Sequence, residues 1–168
     1  MLLSAVSCSE TYDILPEDYA KVVRIKDGGV QNMAVYSVQD EATYPITIMK
    51  GGNAPEMSCN ATLRIMTEDE FKDYLSESGA GYSYLPSNCY SFGSSGATKT
   101  ISFEPKQGYQ VTDIILYPKE IGKFYETYTD ETRDPVIPVV LESDDSGIDP
   151  NSCQLFVKTS YSIPTIGF

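Results

Sequence analysis

The chain has 168 residues, with 24 Asp and Glu against 12 Lys and Arg, a formal net charge of −12, no His and no Trp. The missing histidine excludes serine and cysteine triads, His-ligated zinc and imidazole acid–base catalysis. The negative excess argues against nucleic acid as a partner, because a polyanion binder needs clustered Lys and Arg.

The length suits one or two domains, and 41% hydrophobic residues can build a sizeable core. The first residues, Met1 to Glu10, carry a short apolar run that ends in small Val6 and Ser7 just before Cys8. That pattern is similar to the tail of a bacterial lipoprotein signal, so Cys8 is the expected lipidation residue. Ala5, where Leu is commonest, and the lack of a basic stretch before the run are departures that a shortened start would explain. No run of 18 or more apolar residues follows, so no spanning helix is expected. The expectation is a lipid-anchored envelope protein, at the outer membrane or cell surface, with residues 1–8 as signal remnant, 9–20 as polar leader and 21–168 as one folded unit.

Within that unit the chain alternates short β-type runs with turn residues. Lys21 to Ile25 is the first run, closed by Asp27-Gly28-Gly29. Val30 to Val38 follows, then Thr43 to Lys50, whose Tyr44, Ile46 and Ile48 share one face with the two-residue period of a half-buried strand. Cys59 to Met66 repeats the alternation. At Thr67 the period changes: Thr67-Glu68-Asp69-Glu70 fits a capping box, and Phe71, Tyr74 and Leu75 form a short apolar helical face ended by Gly79 and Gly81. Tyr82 to Pro86 leads into an edge-type run, Cys89 to Phe92. Two further strands are expected at Lys99 to Phe103 and Val111 to Tyr117, with a short helical turn at Pro118 to Phe124. Val136 to Leu141 and Leu155 to Thr159 complete the series, separated by the acidic loop Glu142 to Asn151. Roughly seven or eight strands and one clear helix predict a mainly β fold, an antiparallel β-sandwich. The gaps are too short for the helices that a parallel α/β sheet needs.

Four features recur here in a familiar order: the signal ending in Cys8, the Tyr-x-Ile-x-Ile strand closing in Lys50-Gly51-Gly52, the capped helix with Phe71 to Leu75, and Tyr82-Ser83-Tyr84-Leu85-Pro86 before Val136-Ile137-Pro138-Val139-Val140-Leu141. Over residues 21–163 the chain resembles the N-terminal domain of unknown function of Bacteroidetes surface lipoproteins, which in some members precedes a family-18 endoglycosidase-like domain. The resemblance implies an immunoglobulin-like sandwich at the cell surface, an association with glycan capture and use, and no catalytic residues, since any enzyme activity in that family resides in a downstream domain.

Candidate sites are few. Cys59, Cys89 and Cys153 are an odd set without C-x-x-C spacing, so at most one disulfide can form; three buried small hydrophobes are the other reading. Glu68-Asp69-Glu70 sits in a helix's first turn, where the helix dipole favours acids without any catalysis. The loop with Asp144, Asp145 and Asp149 lacks the spacing and closing Glu of an EF-hand, so a hairpin turn is expected rather than a calcium site. No metal or other cofactor is expected. Sugar sites stack rings on aromatic faces, and the chain's 13 Tyr offer two groups: Tyr82, Tyr84 and Tyr90, or Tyr117, Phe124, Tyr125 and Tyr128 around the connection Pro118 to Pro135. The second group is the expected ligand-binding set, because long connections on rigid scaffolds carry function. The functional expectation is a non-enzymatic surface module that binds a glycan or a neighbouring surface protein, or spaces another domain from the membrane. The alternative is a structural or adhesive subunit of a fimbria-like assembly that shares strands between chains.

Overall fold

The computed structural model describes residues 20–165; the Cys8 expectation and nearly all of the leader lie outside them. Strands β1 (Val22–Ile25), β2 (Gly29–Tyr36), β3 (Ala42–Gly51) and β4 (Cys59–Ile65) lead to helix α1 (Glu68–Ser78). Then come β5 (Tyr82–Tyr84), β6 (Tyr90–Ser91), β7 (Thr98–Phe103), β8 (Tyr109–Leu116), helix α2 (Pro118–Thr127), β9 (Asp134–Glu142), β10 (Gly147–Ile148) and β11 (Gln154–Ser162). One sheet has the order β10-β1-β3-β8-β6 and the other β2-β11-β9-β4-β7, with β5 also on β9. Two sheets facing each other over a shared core is the expected immunoglobulin-like sandwich. The turn after β1 moves the chain between layers: β1 pairs antiparallel with β3, while β2 runs parallel to β11 in the other sheet. Gly29 makes this switch with φ of +78°, a conformation costly for other residues.

Two details differ from the sequence expectation. Three pairings are parallel, β1 with β10, β2 with β11 and β5 with β9, so the antiparallel frame carries parallel strands along it. The described residues also hold more strands than about seven. The edge run expected at Cys89 to Phe92 is present as β6, and the additions β5 and β10 are three and two residues long, too short for alternation to register.

The prolines inside strands sit where a missing N–H costs no ladder bond. Pro45 pairs with Asp113 of β8, but on its other side β1 has already ended at Ile25 opposite Ile48. In β9, residues Asp134–Val136 pair with β5 and Val139–Glu142 with β4, so Pro138 falls at the change of partner. Its carbonyl still accepts the Met66 amide at 2.9 Å. β9 is buried on both faces, which explains its unbroken apolar run. Ile137, Val139 and Leu141 join the main core between the sheets, whereas Val136 turns outward with Phe156 into a second small core under α1.

α1 is built as its sequence reads. The Thr67 hydroxyl accepts the Glu70 amide at 3.2 Å, and the Glu70 carboxylate accepts the Thr67 amide at 2.8 Å. Gly79, at φ 68°, closes the helix. Arg64 on β4 donates to both oxygens of Glu70, at 2.7 Å each, and to both of Glu142, at 2.9 and 2.6 Å. The Arg64 guanidinium, helped by the Thr67 amide, holds the Glu70 carboxyl down from its ordinary 4.5 to about 2. A depressed acid adds stability above its unfolded pKa and loses it as pH falls through the folded one. Native protein should therefore lose more melting temperature between pH 4.5 and 2 than Glu70→Gln does; the effect is modest because Glu70 is 44% exposed. Parallel acid curves for the two proteins would reject this coupling.

Candidate functional site

The connection from Pro118 to Pro135 is largely helical rather than a loop. The expected turn at Pro118 to Phe124 runs on to Thr127 as α2. Pro118 at the first helical position supplies a preset φ where no amide bond is lost. Ile121, Phe124, Tyr125 and Tyr128 fall at i, i+3, i+4 and i+7, a helical stripe legible in the sequence that carries the helix past the expected end at Phe124. Ile121 is fully buried in the main core, and Phe124 and Tyr125 pack against that core.

α2 gathers three of the four expected ligand-binding residues. The Phe124 and Tyr128 rings stack at 4.9 Å, Tyr125 meets Phe124 edge-on at 5.4 Å, and Tyr161 of β11 stacks on Tyr125 at 6.1 Å. Their hydroxyls are anchored: Tyr125 donates to the Thr159 carbonyl at 2.6 Å and Tyr128 to the Arg133 carbonyl at 2.8 Å. Burial pushes the Tyr125 phenol up, so it stays neutral and a donor. The result is a band of four half-buried rings that stack on one another, two of them anchored by their hydroxyls. Tyr117 stands apart at the start of α2, its hydroxyl 2.7 Å from that of Ser91. Sequence reasoning missed Tyr161, which the β11 register brings beside α2 from 36 residues downstream of Tyr125.

The other tyrosine group divides. Tyr82 stacks with Phe156, and Tyr84 meets Phe71 edge-on, both in the small core under α1. Tyr90 belongs to the main core. The acidic loop is held by its own carboxylates: Asp145 accepts the Asn60 amide at 3.0 and 3.1 Å, and Asp149 accepts the Asn151 amide at 3.0 Å. Glu70, from the acidic first turn of α1, is committed to Arg64. Cys59 and Cys89 are buried and Cys153 half-buried, all as free thiols. Burial pushes the Cys89 thiol up to about 11, far from a reactive thiolate.

Among curated proteins no sequence matches this chain. Solved structures do. A "putative carbohydrate binding protein" from Bacteroides ovatus ATCC 8483 matches with TM-score 0.61 and 14% identity, over 82% of this chain and 36% of that one. A multidomain protein including DUF1735, also from Bacteroides ovatus, matches with TM-score 0.53 and 12% identity, over 84% and 44%. A third Bacteroides ovatus structure, described as of unknown function, gives TM-score 0.53 and 12% identity, over 84% and 46%. The chain thus spans less than half the length of these structures, and at such identities the likeness concerns the fold. A family model described as "-like, N-terminal domain" matches residues 19–148. With the sandwich in place and that match covering most of it, the chain belongs to this family of N-terminal domains, the Bacteroidetes domain of unknown function that it resembles.

Proposed function

We propose that this chain is a non-catalytic glycan-binding module of the bacterial cell surface, anchored through a lipid on Cys8 and held off the membrane by residues 9–20. The observation that carries the reading is the aromatic band Phe124, Tyr125, Tyr128 and Tyr161. Sugar rings present C–H faces that dock on aromatic surfaces, and rings already fixed by stacking and hydroxyl bonds lose little entropy on binding. The description of one structural neighbour as a putative carbohydrate binding protein agrees with this reading. Tyr117, at the start of the same helix, extends the proposed contact set.

A glycan array tests the reading. Native protein should bind a defined set of oligosaccharides, and Tyr125→Ala and Tyr128→Ala should each lose about tenfold in affinity, which corresponds to about 1.4 kcal/mol. Because both phenols also hold backbone carbonyls, each variant's melting curve is needed to show that it remains folded. A flat array for native protein removes the proposal. The anchor is tested by feeding cells a palmitate analogue: label should enter native protein and be absent from Cys8→Ser, and equal labelling rejects lipidation at that residue.

A further inference from the structure

Beside the N-terminus of α1 a cleft of about 400 Å³ opens between the Thr67 cap, the end of β5 and the turn before β7. That volume lies in the range of small-molecule sites, roughly 300–1,000 Å³. Ile65, Met66 and Ala97 form apolar walls, and Tyr84, Ser87 and Tyr90 add hydroxyls. No acid or base lines it, although the chain carries 36 such groups, 24 acidic and 12 basic. Burial above all pushes the Tyr84 phenol up, and the nearby Glu68 and Glu70 carboxylates add to it, so an anion entering the cleft meets repulsion.

The hydroxyls around the cleft are not equally committed. Thr67 is spent on the α1 cap, and Ser91 on Tyr117 and the Gly93 amide. Tyr84 donates to the Met66 carbonyl at 2.8 Å and keeps free lone pairs. Tyr90 is different. It is only 5% exposed, and its buried hydroxyl, beside that of Tyr84, completes no hydrogen bond of good geometry among the described residues. Buried hydroxyls are almost always paired, so one in a cleft wall without a well-formed bond marks a position for an outside partner. The β6 register fixes Tyr90 by pairing it with Leu116, so this ring is held on a strand.

We propose that this cleft binds an uncharged saccharide unit, with the C–H face of the sugar against Ile65, Met66 and Ala97 and a sugar oxygen on the Tyr90 hydroxyl. The proposal rests on the glycan-binding reading, but it shares no residue with the α2 aromatic band. Ser87, exposed and without a side-chain hydrogen bond among the described residues, stands ready for a second sugar hydroxyl.

Calorimetric titration with neutral and with uronate-containing di- to tetrasaccharides tests it. Native protein should bind a neutral saccharide and not the uronate-containing ones. In a Tyr125→Ala background, where the aromatic band contributes little, Tyr90→Phe should weaken the remaining binding at least tenfold while the melting temperature stays equal or rises, because the substitution removes a hydroxyl that had no well-formed bond. In the same background Ala97→Phe, which fills the mouth from an exposed position, should abolish that binding without unfolding the protein. If native protein binds a neutral saccharide and both variants bind it as well as Tyr125→Ala alone does, the cleft is not the site and the glycan reading survives elsewhere on the molecule. A preference for uronates overturns the uncharged class, and no binding of any saccharide by native protein overturns both readings.

Discussion

Lys50→Met is expected to destabilise the protein by about 2–4 kcal/mol, measured as a shift in the urea unfolding midpoint at constant slope. Lys50 is 9% exposed, and its ammonium donates to the carbonyls of Pro55, Met57 and Glu104 at 3.3, 2.7 and 3.2 Å. No carboxylate forms an ion pair with it among the described residues. One cation therefore gathers the loop after β3 and the turn after β7, and the Lys106 amide donating to Pro55 at 2.8 Å fastens the same two segments. Methionine can fill the volume but leaves three carbonyls without their donor. Lys50→Arg should recover only part of the loss, since a flat guanidinium cannot point at three converging oxygens as a tetrahedral ammonium does. A loss below about 1 kcal/mol for Lys50→Met would mean that water replaces the ammonium and that this junction is not held by the lysine.

Gly122→Val should cost about 2–3 kcal/mol. A Cβ on Gly122 would lie 2.6 Å from the Tyr161 hydroxyl oxygen and 2.8 Å from its ring carbon, closer than packed atoms come. Either α2 lifts or the Tyr161 ring leaves its stack on Tyr125. Valine is the informative substitution because alanine would regain about 1 kcal/mol of helix propensity and mask part of the clash. Tyr161→Leu in the same chain should relieve much of the strain, so the two changes together should cost clearly less than their sum. Strict additivity would show that Gly122 and Tyr161 do not touch. The substitution also couples stability to the proposed aromatic band: if Tyr161 swings out, glycan affinity should fall along with the melting temperature.

Much of the architecture can be read from local pattern. The alternation of Tyr44, Ile46 and Ile48, the capping box at Thr67 and the apolar run Val136 to Leu141 locate β3, α1 and β9, because each signal depends on residues within a few positions of one another. The same alternation even puts Lys50 on the core-facing side of β3. The helical stripe of α2 is present at Ile121, Phe124, Tyr125 and Tyr128, but a turn expected only as far as Phe124 uses half of it.

The chain by itself determined that no histidine chemistry operates here, that short β segments dominate, and that its aromatic surface comes from Tyr and Phe alone. Only the folded arrangement decided who meets whom. The carbonyls around Lys50, the ring of Tyr161 beside Gly122 and the cleft against Tyr90 all join segments tens of residues apart. Such encounters depend on strand order and register between the two sheets, and these follow from the cooperative burial of the whole core rather than from any window of sequence.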